Sequence, residues 1–379
     1  MLVALDVTSY LASRTGVGVA VGELARALVA LAERDGRDTF RFCALSTSAA
    51  AAGRLRQAFG SARGEVRARR LPVRLVAPLV DRSPWPDCEA LFGPADVFHT
   101  GPLLVPASRG AALVVTVYDL TPIRYPEFHI ASNSFDRARL RRRLERAARI
   151  IVPSSSTRDD LEQLAGVARD RVRVVPLGVR PQPRPPASGP VVPELGLDRE
   201  YILAVGSLEP RKNLTRLVRA FGLLKQRRRL PHLLVLVGPK GWMEDPLHRA
   251  VEELELSAEV RFAGFVSGET LAALYGNAAL LVYPSLYEGF GLPPLEAMAA
   301  GCPVAVSRAG SLPEVVGDAG VYFDPTDAQD IARAILDVLE SNDLRRALVG
   351  RGYARSRLFS WEATAEATRR IYAEARAER

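Results

Sequence analysis

Short apolar, β-branched runs alternate with helical patterns along the whole chain. Residues 2–7 read as a strand, followed by a loop, Ser13-Arg-Thr-Gly16-Val-Gly18. A helix is then predicted from about 19 to 33, with Val21, Leu24, Leu28 and Leu31 on one face. Strands follow at 40–45, 96–99, 113–117, 149–152 and 171–175, with helical stretches near 134–148 and 156–165. Alternation of this kind predicts a parallel, doubly wound sheet.

From Arg180 to Pro193 the pattern stops in a stretch with six prolines, which forms neither a helix nor a central strand and stiffens an extended connection. The alternation then restarts. Strands are predicted at 201–205, 233–237, 260–263, 280–283 and 303–306, and helices at 214–228, 246–255, 268–277 and 294–300. Three more helical patterns close the chain, at about 327–340, 343–357 and 361–377. The reading is an α/β protein of two Rossmann-like domains, 1–180 and 194–358, joined by the linker 181–193. The final helix, 359–379, is expected to pack back toward the first domain. Ligands of this architecture bind in the cleft outside the carboxyl ends of the strands.

A length of 379 residues suits two domains, and 48% hydrophobic with 25% charged residues is a globular composition. No apolar run reaches the roughly 18 residues of a spanning helix. Met1 to Asp6 lacks a basic region, so it reads as a strand rather than a signal peptide. Cys43, Cys88 and Cys302 are too scattered for a disulfide framework, and His99, His129, His232 and His248 show no ligand spacing. No metal and no cofactor is expected, and a cytoplasmic location is. The net charge of +8 would suit nucleic acid, an anionic surface or an anionic substrate. Nucleic acid is set aside, because no stacking platform, zinc spacing or recognition helix accompanies the arginines.

The richest segment runs from Tyr283 to Gly301 and contains Glu288-Gly-Phe-Gly-Leu-Pro-Pro-Leu-Glu296. Gly289 and Gly291 make a tight loop after a strand, two prolines open a helix, and Gly301 ends it. Free N–H groups at such a junction suit phosphate. Glu288 is placed in the loop and Glu296 in the first helical turn, where both can face one pocket and accept hydrogen bonds from vicinal sugar hydroxyls. A second segment, Val205-Gly206-Ser207-Leu-Glu-Pro-Arg211-Lys212-Asn213, also follows a strand. Asn213 reads as a helix N-cap, and the adjacent Arg211 and Lys212 suit a diphosphate.

Together these segments resemble the family 4 retaining glycosyltransferases of the GT-B fold. The Glu-x7-Glu arrangement is similar to that family's donor signature, and Gly206 to Asn213 to its diphosphate loop. Phe262-Ala-Gly-Phe-Val266-Ser and Gly310-Ser-Leu-Pro-Glu314-Val match as well. Thr15-Gly-Val-Gly18 and Tyr118-Asp119-Leu-Thr-Pro-Ile-Arg-Tyr-Pro-Glu127 resemble a mannosyltransferase-like branch that builds bacterial surface glycans.

The resemblance implies that Arg211 and Lys212 neutralise the leaving diphosphate, Glu296 holds the ribose, and Glu288 holds the transferred sugar. Backbone N–H groups of Phe290, Gly291 and Leu292 would contact sugar and phosphate, Val266 would lie near the base, and Gly16 and Gly18 would close on the diphosphate. Tyr118 stands where many relatives have histidine, which leaves Asp119 or His129 for the acceptor side. The implied reaction is metal-independent front-face transfer of a hexose to a hydroxyl acceptor that could be lipid-linked. GDP-mannose is favoured as donor over UDP- or dTDP-sugars. A nucleotide-sugar binder without turnover is the alternative, against which the complete set of Glu288, Glu296, Arg211 and Lys212 argues.

One basic feature stands apart. Residues 136–149 carry seven arginines in a helical pattern. They read either as a solvated helix with Leu140 and Leu144 inward or as a peripheral contact with anionic membrane on the inner face of the cell membrane. Arg67 to Arg74 adds a weaker basic cluster.

Overall fold

The computed structural model describes residues 1–12, 16–128, 136–181, 195–197, 199–228, 230–241 and 245–378. The chain forms two compact units. One comprises Met1–Arg124, Asn133–Gly178 and Ser360–Arg379, and the other Tyr125–Ser132 and Val179–Phe359. Most of the predicted proline-rich linker, 182–193, lies outside the described residues.

The N-terminal unit is a parallel sheet of β1 (Leu2–Asp6), β2 (Thr39–Leu45), β3 (Gly64–Arg69), β4 (Val97–Thr100), β5 (Ala112–Thr116), β6 (Arg149–Val152) and β7 (Val172–Val174). Their order is β3-β2-β1-β4-β5-β6-β7, so the winding reverses between β1 and β4. Val3 aligns with Phe40 on one side and Val97 on the other. Every residue of β5 is buried, as expected of a strand covered on both faces.

The helix Trp361–Ala377 completes this unit by packing on the helix Gly16–Asp35 and across β4, β5 and β6. Its Tyr372 hydroxyl stands 2.7 Å from His99 Nδ1, while His99 Nε2 is 2.7 Å from Thr116 Oγ1. Ser360 opens the helix by accepting from the Ala363 N–H.

The C-terminal unit holds β8 (Tyr201–Val205), β9 (Leu233–Val237), β10 (Val260–Gly264), β11 (Leu280–Tyr283), β12 (Val304–Ser307) and β13 (Gly320–Phe323). The order is β10-β9-β8-β11-β12-β13, all parallel, with the reversal between β8 and β11. The helix Leu214–Arg228 follows β8 and sinks Leu217, Val218 and Phe221 completely into the core. That burial fixes where the β8 loop emerges at the sheet's carboxyl edge.

Two strands were not read from the sequence. β3 alternates charged and small residues and lies at the sheet edge, half-exposed. β13 is a four-residue edge strand with only Phe323 buried. The helix Val73–Arg82 was also missed: it contains Pro78, a residue that ordinarily ends a helix, and Pro72 precedes it.

Candidate functional site

The reversal between β8 and β11 is where a doubly wound sheet opens a crevice at its carboxyl edge. Both glycine-containing motifs emerge there, and they are stapled together. The Leu286 N–H donates to the Arg211 carbonyl at 2.9 Å, and Arg211 Nη1 donates to the Tyr287 carbonyl at 2.9 Å. Asn213 Nδ2 donates to the carbonyls of Pro284, at 3.0 Å, and Pro325, at 2.7 Å. Asn213 thus stands at the expected N-cap position, its carbonyl accepting from the Arg216 and Leu217 N–H groups at 3.1 and 3.3 Å, but its side chain joins the loops and does not cap the helix. It sits in the left-handed region at φ 58°, and its Oδ1 accepts from Arg216 Nη1 at 2.8 Å.

At the centre is a buried charge cluster. Glu288 is only 7% exposed. Its carboxylate meets Lys212 Nζ at 2.6 Å and Arg211 Nη1 at 2.9 Å, and accepts from the Tyr283 hydroxyl at 3.0 Å. Glu209 takes the other side of the Arg211 guanidinium at 2.7 Å. Burial alone would raise the Glu288 carboxyl, but the charges of Arg211 and Lys212 outweigh it and hold it at about 2. Lys212 is lowered by its burial and by Arg211, against the pull of Glu288. Gly206 makes room for the lysine stem: a Cβ there would come within 3.2 Å of Lys212 Cδ. Ser207, next to it, is half-buried in the same loop.

The β11 loop is fixed from a third side. Ser311 Oγ donates to the carbonyls of Glu288, at 3.0 Å, and Phe290, at 2.7 Å. Gly289, Phe290 and Leu292 are buried, and Gly291, at φ 106°, immediately precedes the helix Leu292–Ala299. Glu296 is the fifth residue of that helix, so it lies in the second turn and not the first. It is half-buried and accepts from the Tyr275 hydroxyl at 2.9 Å. Each glutamate is thus held by a phenol, Glu288 by Tyr283 and Glu296 by Tyr275. Val266 is half-buried in the loop after β10.

Tyr275, Tyr283, Glu209, Asn213 and Ser311 are thus parts of the site that the sequence did not single out as such. Tyr283 ends a buried strand and Tyr275 lies in a helix, so both read as core aromatics.

The remaining expectations fall in the N-terminal unit. The segment Gly16–Gly18 is the first turn of a helix rather than a loop, with Gly16 exposed and Gly18 buried. Tyr118 and Asp119 follow β5 at the carboxyl edge. Burial raises the Tyr118 phenol, and Asp119 Oδ1 accepts from the Thr121 N–H at 3.1 Å, closing the turn. His129 lies outside the described residues.

The arginine stretch is largely occupied with the fold. Its helix is shorter than expected, Arg137–Glu145. Arg143 is buried and binds both oxygens of Asp81 at 2.7 Å, and Arg146 Nη1 donates to the Val80 and Val105 carbonyls at 2.7 and 2.8 Å. Arg139 reaches Asp81 at 3.4 Å, Arg141 reaches Glu145 at 3.2 Å, and Arg149 pairs with Glu374 at 3.6 Å. Among the described residues, no group of three or more His, Cys, Asp or Glu side chains is placed to hold a metal. No described helix is long and apolar enough to cross a membrane.

Comparison with known proteins agrees with this geometry. Residues 14–182 match the family model "Glycosyltransferase Family 4", and residues 191–355 match "Glycosyl transferases group 1". The chain is 38% identical over 276 residues to O-antigen chain mannosyltransferase B of Escherichia coli, covering 70% of this chain and 71% of that one. It is 36% identical over 308 residues to the MMP alpha-(1->4)-mannosyltransferase of Mycolicibacterium hassiacum, covering 75% of this chain and 71% of that one. Among solved structures, sucrose-phosphate synthase from Thermosynechococcus elongatus shares the fold, with a TM-score of 0.76 over 100% of both chains at 24% identity. The chain belongs to glycosyltransferase family 4, has that family's GT-B fold of two Rossmann-like parallel-sheet domains, and is a glycosyltransferase.

Proposed function

We propose that this enzyme transfers a hexose, mannose in the first instance, from a nucleoside-diphosphate sugar to a hydroxyl acceptor, with retention at the anomeric carbon and without a metal. The observation that carries the reading is the Arg211–Lys212–Glu288 cluster at the reversal of the C-terminal sheet. Two adjacent cations on one loop and a carboxylate on the next supply complementary partners for a diphosphate and for sugar hydroxyls.

In the proposed reaction the bond between the anomeric carbon and the diphosphate oxygen breaks while the acceptor oxygen attacks from the same face. The acceptor proton passes to the departing phosphate oxygen, so the products are a glycoside and a nucleoside diphosphate. Arg211 and Lys212 stabilise the charge that grows on the leaving group, and Phe290, Gly291 and Leu292 contribute backbone N–H groups at the helix start. Glu288 receives sugar hydroxyls and Glu296 the ribose. Gly206 and Ser207 border the phosphates and Val266 the base. The acceptor is assigned to the N-terminal unit, where Tyr118 and Asp119 follow β5.

The mannosyltransferase names of the two relatives favour mannose, and GDP-mannose is therefore the first donor to try. The test pairs GDP-, UDP- and dTDP-sugars with octyl α-mannoside, reading products by mass spectrometry. A mass gain of one hexose from GDP-mannose alone is expected. Transfer only from a UDP- or dTDP-sugar would overturn the donor assignment.

A further inference from the structure

The helix Val73–Arg82 in the N-terminal unit has two apolar arcs. Val76 and Val80 are buried in the core, whereas Leu75 and Leu79, one turn apart on the adjoining arc, are 63% and 56% exposed. Trp85, just beyond the helix, is 68% exposed, Leu71, just before it, is 41% exposed, and Leu103 is 57% exposed. The buried Arg143 binds Asp81 of this helix and also donates to the Pro102 carbonyl at 2.9 Å, which ties the 102–105 loop to the helix end. A ridge of large apolar side chains with this much exposure marks a surface that meets something.

The charges around the ridge identify the partner. Arg70, Arg74 and Arg82 flank the leucines and are exposed, as are Arg137 and Arg142 on the neighbouring arginine helix. Among the described residues none of these five has an ion-pair or hydrogen-bond partner, in contrast to Arg139, Arg143 and Arg146 beside them. Asp81, on the same helix, is already bound by Arg143 and Arg139. A second copy docking face to face would set these arginines against one another. An anionic bilayer accepts the leucines and the tryptophan at its interface and the arginines at its headgroups.

We propose that Leu75, Leu79 and Trp85 insert shallowly into an anionic membrane surface, with the five unpaired arginines as the electrostatic collar. The docking element is thus the Val73–Arg82 helix, and the arginine helix at 137–145 supports it instead of carrying the contact itself. The inference is independent of the donor chemistry, because vesicle binding requires no sugar nucleotide.

The test is co-sedimentation of the full chain with phosphatidylcholine vesicles with and without phosphatidylglycerol, together with tryptophan emission. Binding to the anionic vesicles is expected, weakened by salt, with a blue shift that Trp85→Phe abolishes. The double variant Leu75→Ser/Leu79→Ser, altered only at exposed positions, should keep the wild-type melting temperature and lose binding by at least about tenfold. Wild-type failure to bind anionic vesicles, or undiminished binding of the double variant, would overturn the proposal. So would a concentration-dependent dimer in sedimentation velocity that the same double variant abolishes.

Discussion

Replacing Glu288 by glutamine tests how the site is held together. The side chain keeps its shape but loses the charge that sits 2.6 Å from Lys212 and 2.9 Å from Arg211. The Glu288 carboxyl lies at about 2 against an ordinary 4.5. At about 1.4 kcal/mol for each unit of the pH scale, that difference is worth about 3 kcal/mol. Breaking one side of a buried ion pair typically costs about 3–5 kcal/mol, which agrees. For a domain of this size the melting temperature should fall by about 6–12 °C.

The sign with pH is fixed by the same numbers. A depressed carboxyl contributes its stability above its ordinary 4.5 and loses it as the pH falls toward about 2. The wild type should therefore lose stability steeply across that window, and Glu288→Gln should lose less. Scanning calorimetry from neutral to acid pH, with and without GDP, reads all of this. GDP should raise the melting temperature of Glu288→Gln at least as much as that of the wild type, because a diphosphate supplies the counter-charge that Arg211 and Lys212 have lost. If GDP stabilised the wild type and not Glu288→Gln, the pairing of those cations with a diphosphate would be refuted.

Three further outcomes are expected. Arg211→Ala or Lys212→Ala should cost about 10²–10³ in turnover, read by initial rates of hexose transfer. Glu296→Ala should weaken GDP binding by about 10–100-fold in titration calorimetry, the worth of a charged hydrogen bond, while Tyr275→Phe, which removes only the phenol 2.9 Å away, should weaken it less. Gly310→Ala should destabilise by at least about 1–2 kcal/mol in urea titration. That residue lies at φ 54°, and its new Cβ would stand 2.5 Å from the Glu288 carbonyl oxygen.

The strands at the centre of both sheets were legible because burial on both faces writes them as continuous apolar runs, as in Leu233–Val237 and Ala112–Thr116. The edge strands Gly64–Arg69 and Gly320–Phe323 carry no such run. The helix Val73–Arg82 escaped for another reason. Its apolar residues share one broad face, but Pro72 just before it and Pro78 within it read as interruptions.

At the site, the residue types and the two loops were legible, but their partnership was not. Lys212 and Glu288 are 76 residues apart in sequence, and only the adjacency of β8 and β11 brings them together. A solvated glutamate and a buried one that binds two cations have the same letter. The arginine stretch shows the converse: its charge density suggested a surface, while Arg143 and Arg146 turned out to be internal fasteners.

The central claim is that hexose leaves a diphosphate held by Arg211 and Lys212 and keeps its anomeric configuration. The direct measurement is carbon NMR of the glycoside formed from GDP-mannose labelled at the anomeric carbon, with octyl α-mannoside as acceptor. The account predicts an α-linked product together with GDP, and only traces of it from Lys212→Ala. A β-linked product, or equal yields from the wild type and Lys212→Ala, would contradict it.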